Sequence, residues 1–244
     1  MMDKLSKIKC IIVDIDGTLT NENGELNLEA IEKIRELKSK FNMKIVLASG
    51  NAYPVLMGLA RYIGEIDMVI AENGAIIGYE EDMEIIGDPK IGNKDREIVK
   101  EKLGDILVES WQCKYRLVDY SFKRKGEISW EYIYKRTVET ILKELPKAEV
   151  VFSGVAIHIR DRDVNKGIAL EKVMKKLNLN KDEVLAVGDS DVDVEMLMTA
   201  GIGVAVANSS ENAKRAAKII TSKPYGMGFV EIAEEILKAK YIHN

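Results

Sequence analysis

Asp14-Ile15-Asp16-Gly17-Thr18 sets two carboxylates two residues apart, directly after the short β-branched run at 8–13. Residues at i and i+2 leaving a strand can both reach a ligand beyond its carboxyl end once the chain turns, and Gly17 permits that turn. An Asx-type turn would explain Asp-Gly on its own. Three further groups favour chemistry. Ser49-Gly50-Asn51 follows the apolar run 43–48, and a hydroxyl with loop N–H groups at a helix start suits a phosphate oxygen. Gly188-Asp189-Ser190-Asp191-Val192-Asp193 follows the run 184–187 and packs three carboxylates into five residues. That is a hard, oxygen-rich cluster of the kind Mg²⁺ takes together with phosphate. Lys166 opens a helical stretch, where a cation opposes the macrodipole; balancing phosphate charge would account for it.

The elements that must position these groups alternate. Strands are expected at 8–13, 43–48, 67–71, 184–187, 202–206 and 218–221. Helices are expected at 27–40, 53–62, 166–177, 194–199, 211–217 and 229–240. Asn27 suits a helix cap, Pro54 a first helical turn, and Asn73-Gly74 a tight turn. Such alternation predicts an α/β fold, a doubly wound, Rossmann-like parallel sheet covered on both faces. The pattern changes between 82 and 155 to strand, helix, strand, helix, strand, with polar, alternating strands near 111–118 and 149–152. This reads as an inserted small α+β domain, so the expected division is a core of 1–81 and 156–244 and an insert of 82–155.

Composition narrows the function classes. The 244 residues, 46% hydrophobic, can form a sizeable core, and a net charge of −4 gives no reason to expect nucleic acid or an anionic membrane as partner. Asp14 and Asp16 interrupt the only candidate signal-peptide run, and no apolar stretch reaches membrane-spanning length, so no membrane association is expected. Two distant cysteines, Cys10 and Cys113, form no disulfide framework and fit a reducing cytoplasm. Only two histidines occur, which argues against a multi-histidine metal site. His158 lies in an apolar run and reads as a packed histidine. Trp111 and Trp130 read as part of the insert's core. No P-loop is present, and Gly201-Ile202-Gly203 lacks the setting of a dinucleotide site.

Taken in order, the motifs at Asp14/Asp16, Ser49, Lys166 and Asp189/Asp193 resemble the haloacid dehalogenase superfamily of phosphatases, and the insert resembles its α/β cap. Ser49-Gly50-Asn51-Ala52-Tyr53-Pro54, Ala71-Glu72-Asn73-Gly74 and Lys223-Pro224-Tyr225-Gly226 are similar to the archaeal phosphoglycolate phosphatase branch. The resemblance implies that Asp14 is a nucleophile forming an aspartyl-phosphate and that Asp16 is the general acid and base. It implies Mg²⁺ held by Asp14, the main-chain carbonyl of Asp16 and Asp189, with Asp193 as ligand or support. Ser49, Gly50, Asn51 and Lys166 would hold the phosphate. One departure stands out: Val192 occupies a position where relatives commonly carry Asn.

The expected partner is a small phosphorylated metabolite, foremost 2-phosphoglycolate; a homodimer is left open. A sugar-phosphate phosphatase or phosphomutase is the competing reading. A phospho-accepting receiver or binding module is a more distant one, disfavoured by the adjacent base Asp16. Between Trp111 and Arg136 lie seven bases (Lys114, Arg116, Lys123, Arg124, Lys125, Lys135, Arg136) against three acids. At least one base is expected to face the core and meet a substrate carboxylate.

Overall fold

Burial explains the first strand. In the computed structural model, which describes residues 1–243, every residue of β1 (Cys10–Asp14) is buried. A strand buried on both faces needs apolar side chains without alternation, as Cys-Ile-Ile-Val provides. Asn244, the last residue of the expected core span, lies outside the described residues.

In chain order, α1 (Met2–Ser6) and β1 are followed by α2 (Leu28–Phe41), β2 (Lys44–Ala48), α3 (Tyr53–Ile63), β3 (Met68–Ala71), β4 (Ile76–Tyr79) and β5 (Asp82–Ile85). Then come α4 (Pro89–Lys102), β6 (Leu107–Glu109), β7 (Tyr120–Arg124), α5 (Trp130–Glu144), β8 (Ala148–Phe152) and β9 (Ile157–Asp161). The chain ends with α6 (Lys166–Lys176), β10 (Val184–Gly188), α7 (Val194–Thr199), β11 (Ile202–Ala205), α8 (Glu211–Ala216), β12 (Ile219–Ile220) and α9 (Tyr225–His243). Local chemistry sets several boundaries. The Asn27 side chain accepts from Ala30 N to start α2, Pro54 sits in the first turn of α3, and the Asn165 side chain accepts from Ile168 N to start α6.

The main sheet runs β12-β11-β10-β1-β2-β3-β4-β5. Strands from β12 to β3 are parallel neighbours, and β4 and β5 add an antiparallel hairpin at one edge. The doubly wound α/β core is as expected. Ile11 and Val13 of β1 pack on one face with α2, α3 and α9, through residues such as Ile34, Leu56 and Phe229. Cys10 and Ile12 pack on the other face with α6 and α7, through Leu170, Val173 and Met196. Each fully buried aliphatic side chain contributes about 1.5–3 kcal/mol, so the two layers hold the sheet rigid beneath the site.

The smaller, antiparallel sheet runs β6-β7-β9-β8, backed by α4 and α5. Three expectations change here. First, β5 belongs to the main sheet and β9 to the small one, so sheet membership moves the transitions inward from 82 and beyond 155. β5 is a largely exposed edge strand, and its polar pattern resembled the insert; Ile157 and Ile159 of β9 resembled a core strand. Second, residues 111–115 form a 3₁₀ turn rather than a strand, and the strand comes later, at Tyr120–Arg124. Buried Tyr120 and Phe122 fix its register against the cap core. Third, Trp111 is 61% exposed and is no core residue, whereas Trp130 does pack against the cap cluster.

Candidate active site

β1 and β10 are parallel neighbours, with Val13 abreast of Val187, and β2 flanks β1 on its other side. The chain runs outward from β1 through β2 and β3, then returns to β10 across β1. The crevice beyond the carboxyl ends of these strands is therefore the topological switch point, where open α/β sheets bind ligands. Asp14 ends β1, Ser49 follows β2 and Asp189 follows β10. All the expected site residues cluster here.

The centre is an ion-pair network. Lys166 Nζ lies 2.6 Å from Oδ1 of Asp14 and 2.6 Å from Oδ1 of Asp193, and Lys166 and Asp193 are fully buried. Burial would lower the lysine's pKa, but the two carboxylates outweigh it and hold it raised. Asp193 Oδ2 accepts from the main-chain N–H groups of Asp189 and Ser190 and from the Ser190 hydroxyl. Both oxygens of Asp193 are thus engaged by the protein. Asp189 accepts from the Thr18 hydroxyl through Oδ1, at 2.9 Å. Gly17, with φ +91°, lies against that carboxylate, and a Cβ there would sit 2.3 Å from Asp189 Oδ2.

Charge is unbalanced at this point. Burial, then the nearby carboxylates of Asp193, Asp189 and Asp16, push Asp14 well above the usual carboxylate range, with Lys166 opposing. Burial and Asp193 push Asp189 up to about 7. Carboxylate oxygens of Asp14, Asp189 and Asp193 come within 4.8 Å of one another. Among the described residues no hydrogen bond reaches the main-chain carbonyl of Asp16. Hard oxygen donors with surplus negative charge and one unpaired carbonyl fit a divalent cation such as Mg²⁺. Asp14 and Asp189 are better placed to contribute than Asp193.

Beside this cluster, the buried Ser49 hydroxyl accepts from Asn51 N at 3.1 Å and from Asn51 Nδ2 at 2.8 Å. Asn51 Nδ2 also lies 3.1 Å from Asp16 Oδ2, so one amide ties the exposed Asp16 carboxylate to the Ser49 loop. Val192 lines the cleft and brings no polar atom.

The small sheet covers the site. It closes a cleft of about 550 Å³ lined by Asp14, Asp16, Asn51, Lys166 and Asp189 from the core and by Gln112, Lys123 and His158, among others, from the cap. The contacts between the two layers were not anticipated from the sequence. Gln112 Nε2 donates to Asn51 Oδ1 and its Oε1 accepts from Ala52 N. Arg116 donates to Gly50 O and to Asp119 O. Glu72 accepts from the N–H groups of Leu117, Val118 and Asp119. Asn73 donates to the buried Asp119, which His158 Nδ1 also meets at 2.8 Å. Burial pushes Asp119 up, but His158, Arg116 and Arg160 outweigh it and leave its carboxyl lowered. Glu72 and Asn73 both take positive φ, 50° and 54°, as the chain doubles back beneath the cap. Two weak signals pointed here: Gln112 is the chain's sole glutamine, and Ile157-His158-Ile159-Arg160 alternates apolar and polar residues.

Of the seven cap bases, Arg116 and Lys123 line the cleft. The other five do not line it: Lys114 lies over the Tyr115 ring, Arg124 over Trp130, Lys125 donates to Gly104 O, Arg136 pairs with Asp105, and Lys135 is exposed on α5.

Motif order, switch-point cleft and cap define a hydrolase fold of one kind, and the comparisons agree. The family model for haloacid dehalogenase-like hydrolases matches residues 11–107 and 120–231, and the chain belongs to that family. It is an enzyme of the hydrolase class. A phosphoglycolate phosphatase of Staphylothermus marinus is 41% identical over 94% of this chain and 98% of its own length. One of Saccharolobus solfataricus, phosphoglycolate phosphatase 1, is 35% identical over 96% and 98%. A crystal structure from Thermoplasma acidophilum shares the fold with a TM-score of 0.81 at 24% identity, covering 94% of this chain and 98% of the other. Among the described residues no helix is long and apolar enough to cross a membrane.

Proposed function

We propose that the protein is a Mg²⁺-dependent phosphate monoester hydrolase whose favoured substrate is 2-phosphoglycolate. The observation that supports this best is the buried triangle of Asp14, Lys166 and Asp193 beside Asp189, under a cap whose cleft carries basic side chains. The curated phosphoglycolate phosphatases that match nearly the whole chain support the substrate assignment.

Asp14 Oδ2, free of Lys166, attacks phosphorus and forms the Asp14 acyl phosphate as the bond from phosphorus to the ester oxygen breaks. Asp16 gives its proton to the departing alkoxide, and the Asn51 amide holds its carboxylate in place. The same carboxylate then takes a proton from water, whose oxygen attacks phosphorus and releases phosphate and the original Asp14. Lys166, the Ser49 hydroxyl and the Gly50 N–H hold the phosphoryl oxygens, where charge is spread. The cation, when bound by Asp14, Asp189 and the Asp16 carbonyl, offsets the repulsion between an anionic nucleophile and a dianionic ester. Lys123 lines the cleft and has no ion-pair partner among the described residues; it supplies positive charge for a substrate carboxylate. Two buried free thiols, Cys10 and Cys113, suit a reducing cytoplasm.

The test is a panel of phosphate monoesters with Mg²⁺, scored by kcat/KM and by free phosphate release. Highest kcat/KM for 2-phosphoglycolate supports the reading. Preference for hexose phosphates would favour the sugar-phosphatase alternative, and isomerised ester without free phosphate would indicate a mutase.

A further inference from the structure

We propose that His158 is a substrate-binding residue, its Nε2 receiving the anionic end of the substrate opposite the phosphate; this rests on the acidic-substrate reading above. Every chargeable cap residue lining the cleft is basic: Arg116, Lys123 and His158. Every acid lining it, Asp14, Asp16, Glu22 and Asp189, comes from the core. An ester that is anionic at both ends is thereby presented with cations on the cap side. Arg116 spends both terminal guanidinium nitrogens on main-chain carbonyls, Asp119 O and Gly50 O, and its remaining nitrogen, Nε, is buried.

His158 is committed at one nitrogen only. Nδ1 lies 2.8 Å from Asp119 Oδ1, and a carboxylate with a lowered pKa has no proton to give, so Nδ1 is the donor. Among the described residues Nε2 has no hydrogen-bond partner, while the side chain lines the cleft. The ring thus has a buried carboxylate on its Nδ1 side and the cleft on its Nε2 side. The charged groups around it are Asp119 and Arg116 before β7, Arg160 on its own strand and Glu72 from the core. The pleat supports the direction: Ile157 and Ile159 enter the cap core, and His158 pairs with Ser121, another cleft residue.

Position fits a small substrate. In 2-phosphoglycolate only an oxygen and a methylene separate phosphorus from the carboxylate carbon, so the receptor must adjoin the phosphate loop. Asn73 links the two. Its Nδ2 donates to Asp119, the carboxylate that holds His158 Nδ1, its N–H donates to Ser49 O, and a Cβ on Gly50 would lie 2.9 Å from its Oδ1. A hydrogen bond to the substrate carboxylate at this point discriminates strongly, because an analogue lacking that group leaves a polar atom of the site unpaired.

The experiment compares 2-phosphoglycolate with 2-hydroxyethyl phosphate, the same skeleton bearing a neutral end, in wild type, His158→Asn and His158→Gln. Asn overlays Nδ1 and keeps the Asp119 bond; Gln overlays Nε2. We expect His158→Asn to lower kcat/KM for the acid at least ~10-fold, mainly through KM, while sparing the neutral ester, and His158→Gln to retain more of the preference. A purely structural histidine predicts the reverse order, with both substrates affected alike, and that result overturns the proposal. So does an unchanged preference in His158→Asn. If wild type itself does not prefer the acid, the acidic-substrate reading fails and takes this proposal with it. A strong wild-type preference that survives both substitutions removes only His158.

Discussion

Lys166 Nζ and Asp193 Oδ1 lie 2.6 Å apart with both side chains fully buried, and the second oxygen of Asp193 is held by the turn that follows β10. In the proposed reading Asp193 therefore positions Lys166, and Asp189 holds the cation. Removing one partner from a buried pair costs about 3–5 kcal/mol, and the remaining contact of Lys166 to Asp14 should keep the loss near the lower end. Asp193→Asn should lower unfolding free energy in denaturant titrations. Asp189→Asn should leave stability intact or raised, since it removes a like charge, and should raise the Mg²⁺ needed for half-maximal activity at least ~10-fold. The opposite pattern would make Asp193 the ligand.

Asp14→Asn should reduce kcat by ~10³-fold or more, because an amide of nearly equal volume is a poor nucleophile. Circular dichroism should remain that of wild type. Activity above a few per cent in a folded variant would move the nucleophile elsewhere.

Chelation by EDTA should abolish turnover and added Mg²⁺ should restore it, as the donors at Asp14 and Asp189 are hard oxygens. Ca²⁺ should inhibit, since its longer bonds and higher coordination number would misplace the attacking oxygen. Full activity in chelator would refute the dependence on a metal.

Asp95, on α4, is fully buried with no hydrogen-bond partner on either oxygen, and burial, with Asp119 and Asp161 nearby, pushes its carboxyl up to about 8. Its unfolded value is about 3.9. Between these values the folded state keeps a proton that the unfolded state releases, so this group's contribution to stability falls as pH rises from about 4 to 8. Asp95→Asn cannot titrate. Its stability relative to wild type should increase by at least about 1 kcal/mol between pH 5 and pH 8, read by denaturant unfolding at both. Parallel curves for the two proteins would show that Asp95 does not titrate in this range.

The floor of the candidate site was legible because its residues adjoin strand ends. Asp14, Ser49 and Asp189 each follow an apolar run, and parallel pairing of β10, β1 and β2 can only bring those ends together. The caps at Asn27 and Asn165 and the proline at 54 are likewise local, acting within three or four residues.

Sequence alone thus determined the α/β core, the four motifs and the presence of an insert, since each depends on short-range periodicity and turn chemistry. Only the tertiary structure decided which sheet β5 and β9 join: an exposed edge strand and a cap strand with an apolar face carry patterns that fit either sheet. It alone revealed the roof of the site. Gln112 meets Asn51 across 61 residues of chain and His158 meets Asn73 across 85. Such polar pairs leave no periodic trace, because their geometry exists only once the cap has folded over the core.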